Sequence, residues 1–265
     1  MGASMDAKRR PVSHPRLSNR TCPFQASGFP GRLTDARLSA PCRRSTSKLA
    51  NTSDRRKPVI LKRVIRTVIF DLGKVLIPFD FARGYRAMEP LCGYSAADIP
   101  RRIGATDLVP RFETGLVEPR DFVAQLSRML DLNIGYEKFC EVWSCIFLPD
   151  TLVPESLLEG LRARYRLVLL SNTNAIHFEM VRERYPMLRH FHEFVLSYEV
   201  RAMKPSPLIY REAIARAACR PEECFFTDDM PQYVEAARRE GIDAVRFESR
   251  EQLERELAAR GIQWM

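Results

Sequence analysis

Four polar segments, each placed after an apolar run, carry the residue types that chemistry requires: Asp71, Ser171-Asn172, Lys204 and Asp228-Asp229. Carboxylates that converge repel one another, and a bound cation relieves the repulsion; such oxygen ligands suit Mg²⁺. A lysine and a serine hydroxyl at the same place would hold an anion, helped by backbone N–H groups opening a helix after Ser171. A divalent cation beside an anion is the arrangement of phosphoryl transfer, in which a carboxylate can attack phosphorus.

The elements that must position these residues alternate along the chain. Short apolar runs predict strands at 64–70, 166–170, 194–196, 224–226 and 244–247. Helical patterns follow at 155–165, 175–184, 207–218, 232–240 and 251–259. Alternating strands and helices predict an α/β fold with a doubly wound parallel sheet, Rossmann-like. Ligands of such sheets bind beyond the carboxyl ends of the strands, so the four polar segments are expected to meet at one edge.

Residues 80–150 interrupt this alternation. Helical patterns occur at 81–91, 96–103, 119–130 and 136–147, and no convincing strand lies between them. We therefore expect a small helical cap at 80–150, inserted into a core formed by 64–79 and 151–265. Within the cap, Glu113 precedes Gly115 in a predicted turn, where a polar side chain would face the site.

The basic character of the chain belongs to its first 63 residues. Of 265 residues 45% are hydrophobic, a globular composition, and the net charge is +9. Residues 1–63 hold 15 Lys and Arg against 3 Asp and Glu, and the rest holds 27 against 30. The body is therefore not expected to bind nucleic acid. The Arg, Ser and Pro content of 1–63 predicts a disordered tail. Its role stays open between a transit peptide, an electrostatic contact with nucleic acid or membrane, and no function.

Cysteine usage and hydropathy bear on the compartment. None of the seven cysteines forms a CxxC pair, and the start of the chain has no apolar signal region. No run approaches the ~20 apolar residues that cross a bilayer. Reduced thiols, a cytoplasmic location and no membrane partner are expected. The oligomeric state is left open.

The motifs resemble those of a known family. VIFDLGKV surrounds Asp71, LLSNTN contains Ser171, MKP contains Lys204, and FFTDD ends in Asp228-Asp229. In this order they resemble the haloacid dehalogenase superfamily of hydrolases over residues 64–250. FETG at 112–115 and NTNAIH at 172–177 further resemble the bacterial α-D-glucose-1-phosphate phosphatase-like group.

The resemblance implies a role for each matching residue. Asp71 corresponds to the nucleophile and to a Mg²⁺ ligand, and Lys204 to a catalytic residue that orients it. The phosphate-binding residues would be Ser171, Asn172 and Lys204. The metal would be held by Asp71, Asp229 and the backbone carbonyl of Gly73, with Asp228 supporting the ligands from behind.

Two positions depart from the family pattern. Gly73 stands where the family commonly has an aspartate acting as general acid and base, which removes a proton donor. Asp80 and His177 are the two candidates to replace it. Tyr233 stands where Asp or Asn is usual, and a tyrosine is not an ordinary Mg²⁺ ligand, so weaker metal binding is expected.

The function hypothesis is a Mg²⁺-dependent phosphatase. It would hydrolyse a small phosphorylated metabolite, such as a sugar phosphate, through an aspartyl-phosphate. Gly73 and Tyr233 keep open a catalytically weak or silent family member that serves as a binding or regulatory protein. A 2-haloacid dehalogenase is the third reading; carbon–halogen displacement needs no metal, and the Asp228-Asp229 pair disfavours it.

Overall fold

A five-stranded parallel sheet organises the chain. The computed structural model describes residues 64–265. The strands lie in the order β3-β2-β1-β4-β5, and every neighbouring pair is parallel. Their bounds are β1 Thr67–Phe70, β2 Arg166–Ser171, β3 Glu193–Leu196, β4 Cys224–Asp228 and β5 Asp243–Arg246. The predicted α/β doubly wound class is confirmed. The tail predicted for 1–63 lies outside the described residues.

Helices cover both faces of the sheet, because successive side chains of a strand point to opposite sides. Val68 and Phe70 pack into one hydrophobic cluster, and Ile69 between them packs into the other. Both faces are therefore buried, as in sheets built from right-handed crossovers. The helices after the insertion are α6 Glu155–Arg162, α7 Ala175–Arg184, α8 Ser197–Val200, α9 Pro207–Ala217, α10 Pro231–Arg239 and α11 Arg250–Ala259.

Six α-helices lie between β1 and β2, and the first five of them form the expected helical insertion. They are α1 Phe81–Met88, α2 Ile99–Gly104, α3 Leu108–Glu113, α4 Pro119–Leu130 and α5 Tyr136–Ser144. The insertion has its own hydrophobic cluster, in which Phe122 stacks on Phe112 with ring centroids 4.0 Å apart. The boundaries 64–79, 80–150 and 151–265 remain a prediction.

Several element ends differ from those predicted, for local reasons. β1 begins at Thr67 rather than 64, and the Val64 side chain is exposed. α1 ends at Met88, two residues before Pro90, whose missing N–H cannot continue the helix. α3 is not predicted at all, since Pro110 falls within its six residues. Among the helices of residues 64–265, none combines the length and apolar character needed to cross a membrane.

Candidate active site

The carboxyl ends of the three central strands bring the predicted residues together. Asp71 follows β1 directly, Ser171 ends β2 and Asp228 ends β4. Phe70 pairs with Leu169 on one side and with Thr227 on the other, so the three strands end at the same level. The abrupt change from apolar to polar at each strand end thus places these side chains at one edge.

Lys204 lies at the centre of the site and links two of its acids. Its Nζ is 2.7 Å from Asp71 Oδ1, 2.5 Å from Asp228 Oδ2 and 3.2 Å from the Leu170 carbonyl oxygen. These contacts use all three N–H donors of the ammonium. The side chains of Lys204, Asp71 and Asp228 are all buried, so each charge depends on the others for compensation.

Asn172 holds the backbone of Lys204. Its Nδ2 donates to the Lys204 carbonyl at 3.0 Å, and its Oδ1 accepts from the Lys204 N–H at 2.8 Å. The side chain of Asn172 thus holds the lysine loop, and its predicted contact with phosphate stays a prediction. Ser171, whose hydroxyl is also predicted to bind phosphate, is buried at the end of β2.

Burial and charge shape the ionisation of the central pair. Burial raises the pKa of Asp71 to about 7, against the lowering effect of the Lys204 ammonium. Burial by itself lowers the pKa of Lys204, but the carboxylates of Asp71 and Asp228 outweigh it and hold that pKa above its ordinary value. Lys204 is therefore a cation, and any added positive charge would favour ionised Asp71.

The donor set fits a divalent cation. Oxygens of Asp71, Asp228 and Asp229 lie within 4.8 Å of one another. The ammonium of Lys204 contacts Asp71 and Asp228, and the charge of Lys74 acts on Asp229, so the three carboxylates outnumber these two cations. Asp228 is occupied, since its Oδ1 accepts from the Met230 N–H at 2.9 Å and its Oδ2 from Lys204. Asp229 has no side-chain partner recorded in the described chain. Hard oxygens in this number suit Mg²⁺.

Gly73 is required by an aromatic ring. A Cβ at this position would lie 2.6 Å from Cε1 of Phe79. The Phe79 ring is itself packed edge-on against Phe81 at 5.0 Å and Phe147 at 6.2 Å. The space that an aspartate side chain would need at position 73 is thus filled. The Gly73 carbonyl accepts no backbone hydrogen bond from residues 64–265 and stays available as a ligand.

Gly73→Ala is expected to lower the free energy of unfolding by about 1–3 kcal/mol, the usual cost of overpacking. Urea denaturation measures it. Gly104→Ala is the matched control, because a Cβ there meets nothing within 4 Å. The double variant Gly73→Ala/Phe79→Leu should recover part of the loss. Equal stability of Gly73→Ala and the parent would contradict the assignment to Phe79.

The two candidates for the missing proton donor have structural contacts. Asp80 caps α1, accepting from the Ala82 N–H at 2.9 Å. His177 is buried with both ring nitrogens engaged, one 3.1 Å from Asn174 Nδ2 and one 3.0 Å from the Trp143 carbonyl oxygen. Burial lowers the pKa of His177 to about 4, so the ring is neutral at pH 7. Neither arrangement favours proton transfer.

Tyr233 packs on the lysine. Lys204 Nζ lies 5.1 Å from the centroid of the Tyr233 ring and 5.7 Å from that of Phe226. A cation over aromatic faces at this distance is attracted by the ring quadrupole. The residue that departs from the metal-ligand pattern therefore contacts the ammonium. Weaker metal binding stays a prediction.

Comparison with known proteins gives the class of this fold and site. The family model of haloacid dehalogenase-like hydrolases matches residues 65–241. A D-ribitol-5-phosphate phosphatase of Bacteroides thetaiotaomicron is 26% identical over 195 residues, covering 70% of this chain and 93% of the relative. A phosphatase of Mycobacterium tuberculosis is 25% identical over 193 residues, covering 68% and 86%.

A solved structure of the same family is similar in fold. A haloacid dehalogenase family enzyme of Bacteroides thetaiotaomicron, in complex with magnesium and inorganic phosphate, superposes with a TM-score of 0.63 at 27% identity. The match covers 70% of this chain and 95% of that one. The chain belongs to the haloacid dehalogenase-like hydrolases. It is an enzyme of the hydrolase class.

Proposed function

We propose that the chain is a Mg²⁺-dependent phosphatase that acts on a small phosphorylated metabolite through an aspartyl-phosphate at Asp71. The observation that carries the proposal is the buried contact of Asp71 with Lys204, next to the carboxylates of Asp228 and Asp229. The two relatives named as phosphatases, and the structure with magnesium and phosphate, support it.

Each residue has a part in the proposed reaction. Asp71 attacks phosphorus with its carboxylate, and the bond from phosphorus to the leaving-group oxygen breaks. That oxygen keeps the electron pair of the bond and takes a proton from water. Lys204 fixes the direction of Asp71 through the contact at 2.7 Å, and its charge offsets the charge of the phosphoryl oxygens. The Ser171 hydroxyl and the N–H groups that follow it donate to the same oxygens.

Asp71, Asp229 and the Gly73 carbonyl would hold the metal, with Asp228 fixing Lys204 beside them. Mg²⁺ bound there would neutralise charge on the phosphoryl group and the carboxylates. The remaining step is hydrolysis of the aspartyl-phosphate by water, which frees phosphate and restores Asp71. Dehalogenation is disfavoured, because it needs no cation and therefore does not account for the convergence of three acids.

Removal of the metal should abolish phosphate release. We expect EDTA to reduce the rate of phosphate release from a sugar or polyol phosphate by about 10³-fold or more, because the excess negative charge at the site then repels the substrate. Added Mg²⁺ should restore the rate, and Ca²⁺, with its looser coordination, should not. Phosphate release is measured from a panel of phosphate esters. Undiminished release in EDTA would contradict the metal requirement.

A further inference from the structure

Two adjoining cavities lie next to the proposed phosphate site. The inner one, of about 60 Å³, is lined by Gly73 and Ser171 of the strand edge together with residues of the insertion. The outer one, of about 130 Å³, lies among the helices of the insertion. Both are lined by Phe81, Glu113, Ile146 and His177. The leaving group of a phosphate held at Ser171 would therefore extend past these four side chains.

Glu113 is the only carboxylate that lines either cavity in the described chain. No hydrogen bond or ion pair of its side chain is recorded within residues 64–265. Glu113 is half-buried, and this burial raises the pKa of its carboxyl group to about 7. A partly buried carboxyl group without a partner is costly, and a ligand that supplies a hydrogen-bond donor lowers that cost.

The backbone fixes Glu113 in place. The Ser197 hydroxyl lies 2.6 Å from the Glu113 carbonyl oxygen and 2.8 Å from that of Thr173. Gly115 packs so closely on α8 that a Cβ there would lie 2.0 Å from the Tyr198 carbonyl oxygen. The backbone of Glu113 is thus joined to the strand edge that carries the predicted phosphate-binding residues.

The rest of the wall offers few other partners. His177 has both ring nitrogens engaged and is stacked on Trp143 with centroids 5.3 Å apart. Phe81 and Ile146 are apolar, and Trp143 has an indole N–H without a hydrogen-bond acceptor in the described chain. The hydroxyls of Tyr85 and Thr173 also line the cavities, and Glu113 is the one acidic acceptor among the lining residues.

We infer that Glu113 is a specificity-determining residue that accepts a hydrogen bond from a hydroxyl of the leaving group, so that the enzyme selects small, uncharged polyhydroxy phosphates and rejects anionic leaving groups. The inference rests on the proposed function. A hydroxyl gives the carboxylate the donor it lacks, and its carbon chain packs on Phe81 and Ile146. Above pH 7, where Glu113 is mostly ionised, a carboxylate on the leaving group meets its charge instead, and no Lys or Arg lines the two cavities to compensate it.

The test compares leaving groups rather than absolute rates. The kcat/KM values are measured for glycerol 3-phosphate, 3-phosphoglycerate, phosphoethanolamine and propyl phosphate, which has the carbon chain of glycerol 3-phosphate without its free hydroxyls. Glu113→Leu should lower the ratio of kcat/KM for glycerol 3-phosphate to that for propyl phosphate by about tenfold or more, because a hydroxyl then loses its acceptor. Glu113→Gln keeps a hydrogen-bond acceptor but removes the charge. This substitution should raise the kcat/KM for 3-phosphoglycerate, relative to that for glycerol 3-phosphate, by about tenfold. Glu137→Leu, exposed on the same insertion, is the matched control.

The outcomes separate this inference from the proposed function. If the parent enzyme releases phosphate from glycerol 3-phosphate and propyl phosphate, and Glu113→Leu changes the ratio of their kcat/KM values no more than Glu137→Leu does, the role of Glu113 alone is overturned. A preference for phosphoethanolamine that Glu113→Gln removes would also overturn it, since Glu113 would then bind a cation. A parent inactive on all four substrates overturns the proposed function and this inference with it.

Discussion

Asp71→Asn should abolish phosphate release. The substitution keeps the shape of the side chain and removes the carboxylate oxygen that attacks phosphorus, and an amide is a far poorer nucleophile. We expect kcat to fall by roughly 10⁴-fold or more, the scale seen when a nucleophile is removed. KM should change little, because Ser171, Lys204 and the metal ligands still hold the phosphate. Phosphate release under saturating substrate and Mg²⁺ measures it.

Asp80→Asn is the matched control for this substitution. Asp80 lies on the same loop after β1, where it caps α1, and asparagine caps helices about as well as aspartate. The control variant should therefore keep the parent rate within about twofold. If Asp71→Asn and Asp80→Asn lost activity equally, the special role of Asp71 would be refuted. Circular dichroism and urea denaturation would show that both variants are folded.

Lys204→Met should damage both stability and catalysis. The substitution leaves the buried carboxylates of Asp71 and Asp228 without the ammonium that contacts both. Breaking a buried ion pair from one side costs about 3–5 kcal/mol, because an uncompensated charge remains. The rate should fall by about 10²–10³-fold, since the phosphoryl group loses a fixed positive charge. Both measurements use the same preparation. Stability is measured by urea denaturation in EDTA, and kcat/KM is measured in Mg²⁺.

A double variant separates the two effects. Lys204→Met/Asp228→Asn removes one of the two carboxylate charges that Lys204→Met leaves uncompensated. Part of the lost free energy of unfolding should therefore return, while kcat/KM should stay low. The coupling free energy between the two positions comes from the double-mutant cycle. A Lys204→Met protein as stable as the parent would contradict the ion network. A fully active Lys204→Met would contradict its contribution to catalysis.

The site could be predicted to a large extent because of one regularity of parallel sheets. Asp71, Ser171 and Asp228 each end an apolar run, and parallel strands that pair in register end at a common edge. Lys204 was harder, because a short helix, α8 Ser197–Val200, separates it from β3. Its placement at the strand edge rested on its position after the third predicted strand, and the MKP motif of the resemblance then gave it a role.

Other parts of the site depend on contacts that no local pattern encodes. The sequence does not indicate that the Phe79 ring returns against Gly73, so the loss of the aspartate looked only like a missing acid. Asn172 bonds to the backbone of Lys204, 32 residues away, and a motif match alone assigned it to phosphate. The Ser197 hydroxyl, which joins the insertion to the strand edge, gave no signal in the sequence.

Trapping the phosphoryl group on the protein tests the central claim most directly. The enzyme is mixed with a substrate carrying labelled phosphate, quenched in acid within the first turnover, digested, and analysed for the labelled peptide. The proposed mechanism predicts one phosphoryl group on the peptide that contains Asp71, absent in Asp71→Asn. A phosphoryl group on another residue, or a first turnover that releases phosphate with no labelled peptide at any quench time, would contradict Asp71 as the nucleophile.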